Sequence, residues 1–271
     1  MPHVVVIPVY KTDLDQFELI SLKACCIVLG AKHDICLVTH ASLCLAAYTK
    51  IAEECGIQLK MEFFEPAYFK NIHGYNKLLL SSGFYTHFSE YDYMLVCQLD
   101  SYVFRDELDD WCSKGYDYIG APLFPHSPCK DENLIGVMVG NGGFSLRRID
   151  AFIRILNRKL SFGELFKLKI KRNNYVIFRK KFLYLLMLFL HKRCNTIRDL
   201  LTYFVMEDRF FSCTLKDTPL KLKTPNPQLA MYFAFDLQPC FLYEQTEQLP
   251  FGCHAWMKGR NLDFYNRFIK L

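Results

Sequence analysis

The chain has 271 residues, is 51% hydrophobic and carries a formal net charge of +5, from 33 Lys and Arg against 28 Asp and Glu. That is enough to bury one large core or two small ones, and we read one α/β domain carrying an insertion. The charge is uneven: 158–198 holds twelve of the 33 basic residues and one acid, Glu164, leaving 21 basic against 27 acidic elsewhere. A mildly acidic body with one basic segment argues against a general nucleic-acid binder.

The start, MPHVVVIPVY, has no basic n-region, long apolar stretch or small-residue cleavage site, so no signal peptide is expected. It reads instead as a first buried strand, Val4–Val9, followed by a polar Lys11-Thr12-Asp13 loop. Asp15–Leu29 has helical apolar spacing, Ile35–Thr39 is a second strand, Ala41–Cys55 a second helix stopped by Gly56, and Leu59–Phe64 a third strand. This β-α-β-α-β alternation predicts a doubly wound, mostly parallel sheet flanked by helices. Of the twelve Cys, six (Cys25, Cys26, Cys36, Cys44, Cys97 and Cys213) lie inside apolar patterns, and no pair has CxxC spacing. Reduced core thiols in a cytosolic protein are expected, rather than a disulfide or zinc framework.

After Pro66 a polar turn, NIHGYNK, leads into a helix through Phe88. Next comes the stretch that organises the chain, YDYMLVCQLDSYVF (Tyr91–Phe104). Tyr93–Cys97 is a continuous apolar run, as expected of a parallel strand buried on both faces. It ends in Gln98-Leu99-Asp100, and a carboxylate just beyond the carboxyl end of a central strand stands where open α/β sheets bind ligands. Its hard oxygen suits Mg²⁺ or Mn²⁺ and, through the metal, a diphosphate; a lone Asp can equally cap a turn or a following helix.

Trp111–Ile119 supplies the end of another helix and a short strand in YDYIGAPLF, and Pro125–Asn133 is a turn-rich loop. In VGNGGFSLRR, Gly140, Gly142 and Gly143 around Asn141 let the backbone approach a ligand or take positive φ, although GNGG alone can be a plain turn. The basic stretch contains Phe182–Leu190 (FLYLLMLFL), too short for a bilayer that needs roughly 20 helical residues. Basic, aromatic and amphipathic, the segment suits an anionic membrane surface; a helical hairpin packed on the body is the alternative. Glu207 and Asp208 open the helix-like run EDRFFSCTL, where adjacent acids favour a helix N-terminus or serve as general base in a cleft. Near the end, FGCHAWMKGR offers His254 as a metal ligand and Lys258 as a cation for a diphosphate.

Taken in order, these motifs resemble the nucleotide-sugar-dependent glycosyltransferases of the GT-A fold. QLDSYVFRDELDDW is similar to that family's D-x-D strand and turn, with Gln98 at the first acid and Asp100 at the second. The wording QLDS…YDYIGAP…VGNGGFSLR…EDRFF…FGCHAW more closely resembles a bacterial glycosyltransferase-like family associated with capsule and lipopolysaccharide gene clusters. The similarity runs from the first strand to about Trp256, and the resemblance implies a single GT-A-like (Rossmann-like) domain, 1–271, with a basic helical insertion at 158–200. Asp100 and His254 would hold a divalent cation (Mn²⁺ or Mg²⁺) on the donor diphosphate, and Lys258 would neutralise it. Pro8, Val9 and Tyr10 would line the nucleobase pocket, with Asn76 and Lys77 near the nucleotide. Asn141, Gly142 and Gly143 would contact sugar or acceptor. Glu207 and Asp208 match the Glu-Asp motif, in which Asp is the base of inverting members. Gln98 departs from the pattern, and one charge fewer weakens a metal site.

The resemblance implies transfer of a hexose, galactose for instance, from a UDP-sugar to a lipid-linked surface glycan, by an enzyme held at the cytoplasmic membrane face by 158–198. A nucleotidyltransferase would show a Gly-rich phosphate loop after the first strand, and IPVYKTD has none. A non-catalytic membrane-surface or glycan-binding protein with a decayed site is the remaining alternative, supported by Gln98 alone.

Overall fold

The structure, a computed structural model, describes residues 2–124, 138–158, 206–216 and 218–270. The expected loop 125–133 and all but the first residue of the expected insertion 158–200 lie outside them.

A six-stranded sheet organises the chain, in the order β3-β2-β1-β4-β9-β6. The strands β1 (His3–Pro8), β2 (Asp34–Thr39), β3 (Lys60–Phe63) and β4 (Tyr93–Cys97) pair in parallel. Here the fold departs from a purely parallel sheet: β9 (Phe144–Arg148) runs antiparallel to β4 and to β6 (Tyr118–Ile119). The architecture is mixed α/β, mostly parallel, with helices on both faces. Continuous apolar runs in β1 and β4 follow from that cover. Val4, Val6, Met94 and Val96 face a core under α3 (Ile72–Leu79), α4 (Ser82–His87) and α6 (Ile149–Asn157). Val5, Ile7, Tyr93, Leu95 and Cys97 face another under α1 (Gln16–Leu29), α2 (Ala46–Glu54) and α5 (Leu108–Ser113).

Local chemistry sets the element ends. Asp15 Oδ1 accepts from the backbone N–H groups of Phe17 and Glu18, while Glu18 Oε2 accepts from that of Asp15 (3.0 Å), a capping box that starts α1. Asn71 Oδ1 caps α3 by accepting from Gly74 N (2.9 Å). The expected polar turn NIHGYNK is itself helical, as α3, and the expected helix through Phe88 is the short α4, set off from it by a break at Leu80-Ser81. The expected helix from Ala41 begins only at Ala46, since 41–45 form a turn. Cys44, expected in an apolar pattern, is exposed, whereas Cys25, Cys26, Cys36 and Cys97 are buried.

A smaller sheet, β10-β11-β5, lies beyond the end of β4. Asp100 is followed not by a helix but by β5 (Ser101–Val103), which runs antiparallel to β11 (Gly252–His254) with Ser101 opposite His254. In turn β11 pairs in parallel with β10 (Ala234–Phe235). Trp256 is fully buried behind this sheet: its Nε1–H donates to Ser21 Oγ (2.8 Å), and Phe17 and Tyr102 meet it edge-on. A two-stranded ribbon, β7 (Pro122–Leu123) with β8 (Met138–Val139), completes the strands among the described residues.

Candidate active site

Three strand ends converge. Asp100 follows β4, His254 closes β11 and Asp236 follows β10. His254 Nε2 lies 3.2 Å from Asp100 Oδ1, and Nδ1 lies 3.0 Å from Asp236 Oδ1. Lys258 Nζ, on the turn after β11, is 2.5 Å from Asp100 Oδ2. Burial alone would raise Asp100, but the His254 and Lys258 cations hold its carboxyl well below the usual carboxylate range. Burial would lower His254; the two carboxylates outweigh it and raise the imidazolium to about 9. The left-handed Ala255 (φ 54°) turns the chain straight after His254, and Asn261 Nδ2 ties that turn to the other strand by donating to Asp236 O (3.0 Å) and Ala255 O (3.1 Å).

This cluster opens on a cavity of about 440 Å³ whose lining includes Pro8, Tyr10, Gln98, Asp100 and Lys258. Tyr68, Phe69 and Tyr75 add an aromatic wall, and Tyr10 stands 60% exposed at the mouth. Five residues nominated from sequence thus share one cavity. Val9 does not line it: the strand's alternation turns that side chain into the core, fully buried, while its backbone N–H donates to Val38 O (2.9 Å). Lys77 is exposed on α3 and is not among the lining residues. Asn76 is buried there, its Nδ2 donating to Ile72 O (2.7 Å) and its Oδ1 accepting from Glu207 N (2.6 Å). It is a brace for the Glu207 turn.

The GNGG segment works differently from the sequence expectation. None of its glycines has positive φ. They are small because side chains crowd them: a Cβ on Gly143 would stand 2.0 Å from His254 Cδ2, and one on Gly142 would stand 2.6 Å from Glu207 Oε1. Asn141 Oδ1 accepts from Gly143 N (2.6 Å) and Phe144 N (2.9 Å), and its Nδ2 is 3.2 Å from His254 Nδ1. Gly143 O accepts from Gln98 N (2.8 Å) and Ser101 Oγ (3.0 Å), which ties the segment to β4 and β5.

The Glu-Asp pair divides its duties. The turn Glu207–Arg209 continues as a π-helix, Phe210–Thr214, in place of one regular helix. Glu207 is buried and its Oε1 accepts from Arg147 (2.9 Å), itself fully buried with further bonds to Tyr85 Oη (2.9 Å) and Ser145 Oγ (3.1 Å). Burial pushes the Glu207 carboxyl up to about 7, the Arg147 guanidinium pulling against it. Asp208 is half-buried, its Oδ1 accepting from Arg209 N (2.7 Å).

The sequence reading missed Asp236 and Arg147. Asp236 had a signal, an Asp directly after the apolar run Met231–Phe235, much as Asp100 follows Tyr93–Cys97, but the strand is two residues long. Arg147 alternates with Leu146 in FSLRR and so faces the same side of the sheet as Ser145.

The donor set fits a divalent cation. Cis ligands held at about 2.1 Å lie about 3 Å apart, matching Asp100 and His254, and a carboxylate behind the imidazole, here Asp236, is the usual support of a ligating His. The Nε2 proton and a metal are alternatives at one position. No group of three or more His, Cys, Asp or Glu among the described residues could hold a metal alone, so substrate oxygens and water would complete the shell.

No curated protein matches the chain. Among solved structures it is similar to A197 from STIV (11% identity, 60% of this chain and 72% of that one, TM-score 0.33). It is also similar to S. aureus TarS 1–349 in complex with UDP-GlcNAc (12% identity, 56% of this chain but only 46% of that one, TM-score 0.38). A third is a glycosyltransferase involved in the glycosylation of the major capsid of PBCV-1 (10% identity, 98% of each chain, TM-score 0.42). With every score under 0.5, these likenesses assign neither activity nor ligand. The family model described as Protein of unknown function (DUF5672) matches residues 58–254, a span that includes Asp100, the GNGG segment, Glu207, Asp208, Asp236 and His254, and the chain belongs to that family.

Proposed function

We propose that the protein is a glycosyltransferase that moves a hexose, galactose for instance, from a UDP-sugar to a hydroxyl of a lipid-linked surface-glycan intermediate of the capsule or lipopolysaccharide type, with inversion. One observation carries the reading: Asp100 and Lys258 line a single cavity walled by Tyr68, Phe69 and Tyr75, with His254 3.2 Å from Asp100 beside it. A nucleoside diphosphate needs both halves of such a site, cations for its phosphates and flat apolar faces for its base.

Departure of the nucleotide leaves negative charge on the diphosphate. Lys258 Nζ, now against Asp100, belongs to a side chain that lines the cavity and would stabilise that charge. Mg²⁺ or Mn²⁺ bound by Asp100 and His254 would supply further neutralisation of the leaving group. Asp236 orients the imidazole by accepting from Nδ1. Asp208 is the general base that takes the acceptor hydroxyl's proton as oxygen attacks the anomeric carbon. Glu207, spent on Arg147, instead fixes the turn that carries Asp208. No helix among the described residues is long and apolar enough to cross a membrane, and in this proposal the basic stretch 158–198 holds the enzyme at the anionic cytoplasmic face.

The test is nucleotide release from a panel of UDP-, GDP- and CMP-sugars, with Mn²⁺, with Mg²⁺ and with EDTA. Release from one UDP-sugar, lost in Asp100→Ala and Asp208→Asn, is expected. Failure of every donor both to turn over and to bind by calorimetry would overturn the reading.

A further inference from the structure

A second cavity, of about 610 Å³, is lined by Ser212, Lys216, Lys221, Lys223, Thr224 and Asp117, with apolar neighbours. Its charge is one-sided. The only carboxylate among the described lining residues is already engaged: Asp117 Oδ2 accepts from Lys223 N (2.9 Å), and Oδ1 lies 3.8 Å from the Arg148 guanidinium. Lys223 is fixed at the rim, its Nζ donating to Gly115 O (3.0 Å) and lying 5.3 Å from the Tyr116 ring centre.

Ser212 supplies the second observation. It is 7% exposed, yet its hydroxyl has no hydrogen-bond partner. A buried hydroxyl left in that state costs about 1–3 kcal/mol, so it is normally matched by something. The site is also joined to the first one through the chain. A Cβ on Gly140 would lie 2.0 Å from Ser212 Oγ, while the Cβ on Gly143 would meet His254. The four-residue GNGG segment therefore has the lysine-lined cavity at its first glycine and the Asp100–His254 cluster at its last.

We infer that this cavity is a second anion site, binding a phosphate or diphosphate group through its lysines with the Ser212 hydroxyl donating to a phosphate oxygen. Identifying that group as the one borne by the acceptor's carrier rests on the transferase reading; the anion site itself does not. The two sites would let donor and acceptor be held at once on either end of one rigid segment.

Inorganic pyrophosphate is titrated by calorimetry into the full chain, alone and with saturating UDP, and into Lys221→Glu, Ser212→Ala and Lys258→Gln. Pyrophosphate should still bind with UDP present. Its affinity should fall about tenfold in Lys221→Glu and measurably in Ser212→Ala, a loss of one charge-assisted contact in the first case. UDP affinity should be unchanged in both. Loss of pyrophosphate binding on adding UDP, or sensitivity to Lys258→Gln but not Lys221→Glu, would mean a single anion site and overturn the inference. If UDP does not bind at all, the donor reading fails, while the contrast between Lys221 and Lys258 variants still decides this one.

Discussion

Substitution of Gly143 by Ala tests the site's construction most directly. Its backbone φ is not positive, so Ala is tolerated by the chain itself. The obstacle is the His254 ring, which the new methyl would meet at 2.0 Å from Cδ2 and 2.2 Å from Nε2. Carbon atoms rest about 3.5 Å apart, so the imidazole must retreat about 1.5 Å. That takes it out of hydrogen-bond reach of Asp236, now at 3.0 Å, and Asp100, now at 3.2 Å. Overpacking costs about 1–3 kcal/mol and each of the two lost charged hydrogen bonds about 1.5–3 kcal/mol, so even the low ends add to a total of about 4 kcal/mol. At about 2–4 °C per kcal/mol the melting temperature drops by roughly 10 °C. Urea unfolding of Gly143→Ala, His254→Ala and the double variant separates causes. With the ring gone the methyl has room, so Gly143→Ala should cost less than about 1 kcal/mol in the His254→Ala background, a coupling of at least ~2 kcal/mol. Equal costs in both backgrounds would refute the argument, because the glycine would then be required for some reason other than the imidazole.

Arg147→Met strands Glu207 without its buried partner and should lose about 3–5 kcal/mol by urea unfolding, most of it recovered in Arg147→Met/Glu207→Leu. Glu207 also makes stability pH-dependent: its folded pKa of about 7 lies above the unfolded 4.5, so the native state holds a proton the unfolded state has released. Its contribution is therefore full below about pH 4.5 and is lost as pH rises through about 7; Glu207→Gln should remove that slope from denaturation curves taken across the range. Lys258→Gln should weaken UDP binding about tenfold or more by calorimetry, whereas Asp208→Asn should leave UDP binding intact and abolish sugar transfer.

The cavity residues were legible from sequence where a residue's position along the chain was enough. Asp100 follows an apolar strand and His254 closes another, and antiparallel pairing of β5 with β11 brings them together. Pro8, Tyr10 and Gln98 are at strand ends that a parallel arrangement aligns. What needed the structure was direction and depth. Val9 is one residue from two cavity residues, yet it faces inward because strand side chains alternate. Asn76 has an amide suited to a ligand, but the Glu207 backbone takes it. The glycines at 140–143 do not take the positive φ that the sequence allowed, and the crowding by Ser212, Glu207 and His254 was not legible, since close approach by a protein side chain and by a ligand leave the same residue in the sequence. Likewise the antiparallel β9 follows residues 125–137, where the βα alternation of the first half gives no guide.

The position of Trp256 gives the protein a built-in optical probe. Its indole is shielded from water, held by Ser21 and two residues from both His254 and Lys258, while Met257 between them lines the cavity. The sequence contains only one other Trp, Trp111, on α5. In a Trp111→Phe background all tryptophan emission comes from beside the site. Ligand affinity and association rate can then be followed as changes in its intensity and wavelength, with no label attached and no need to know what the ligand is turned into.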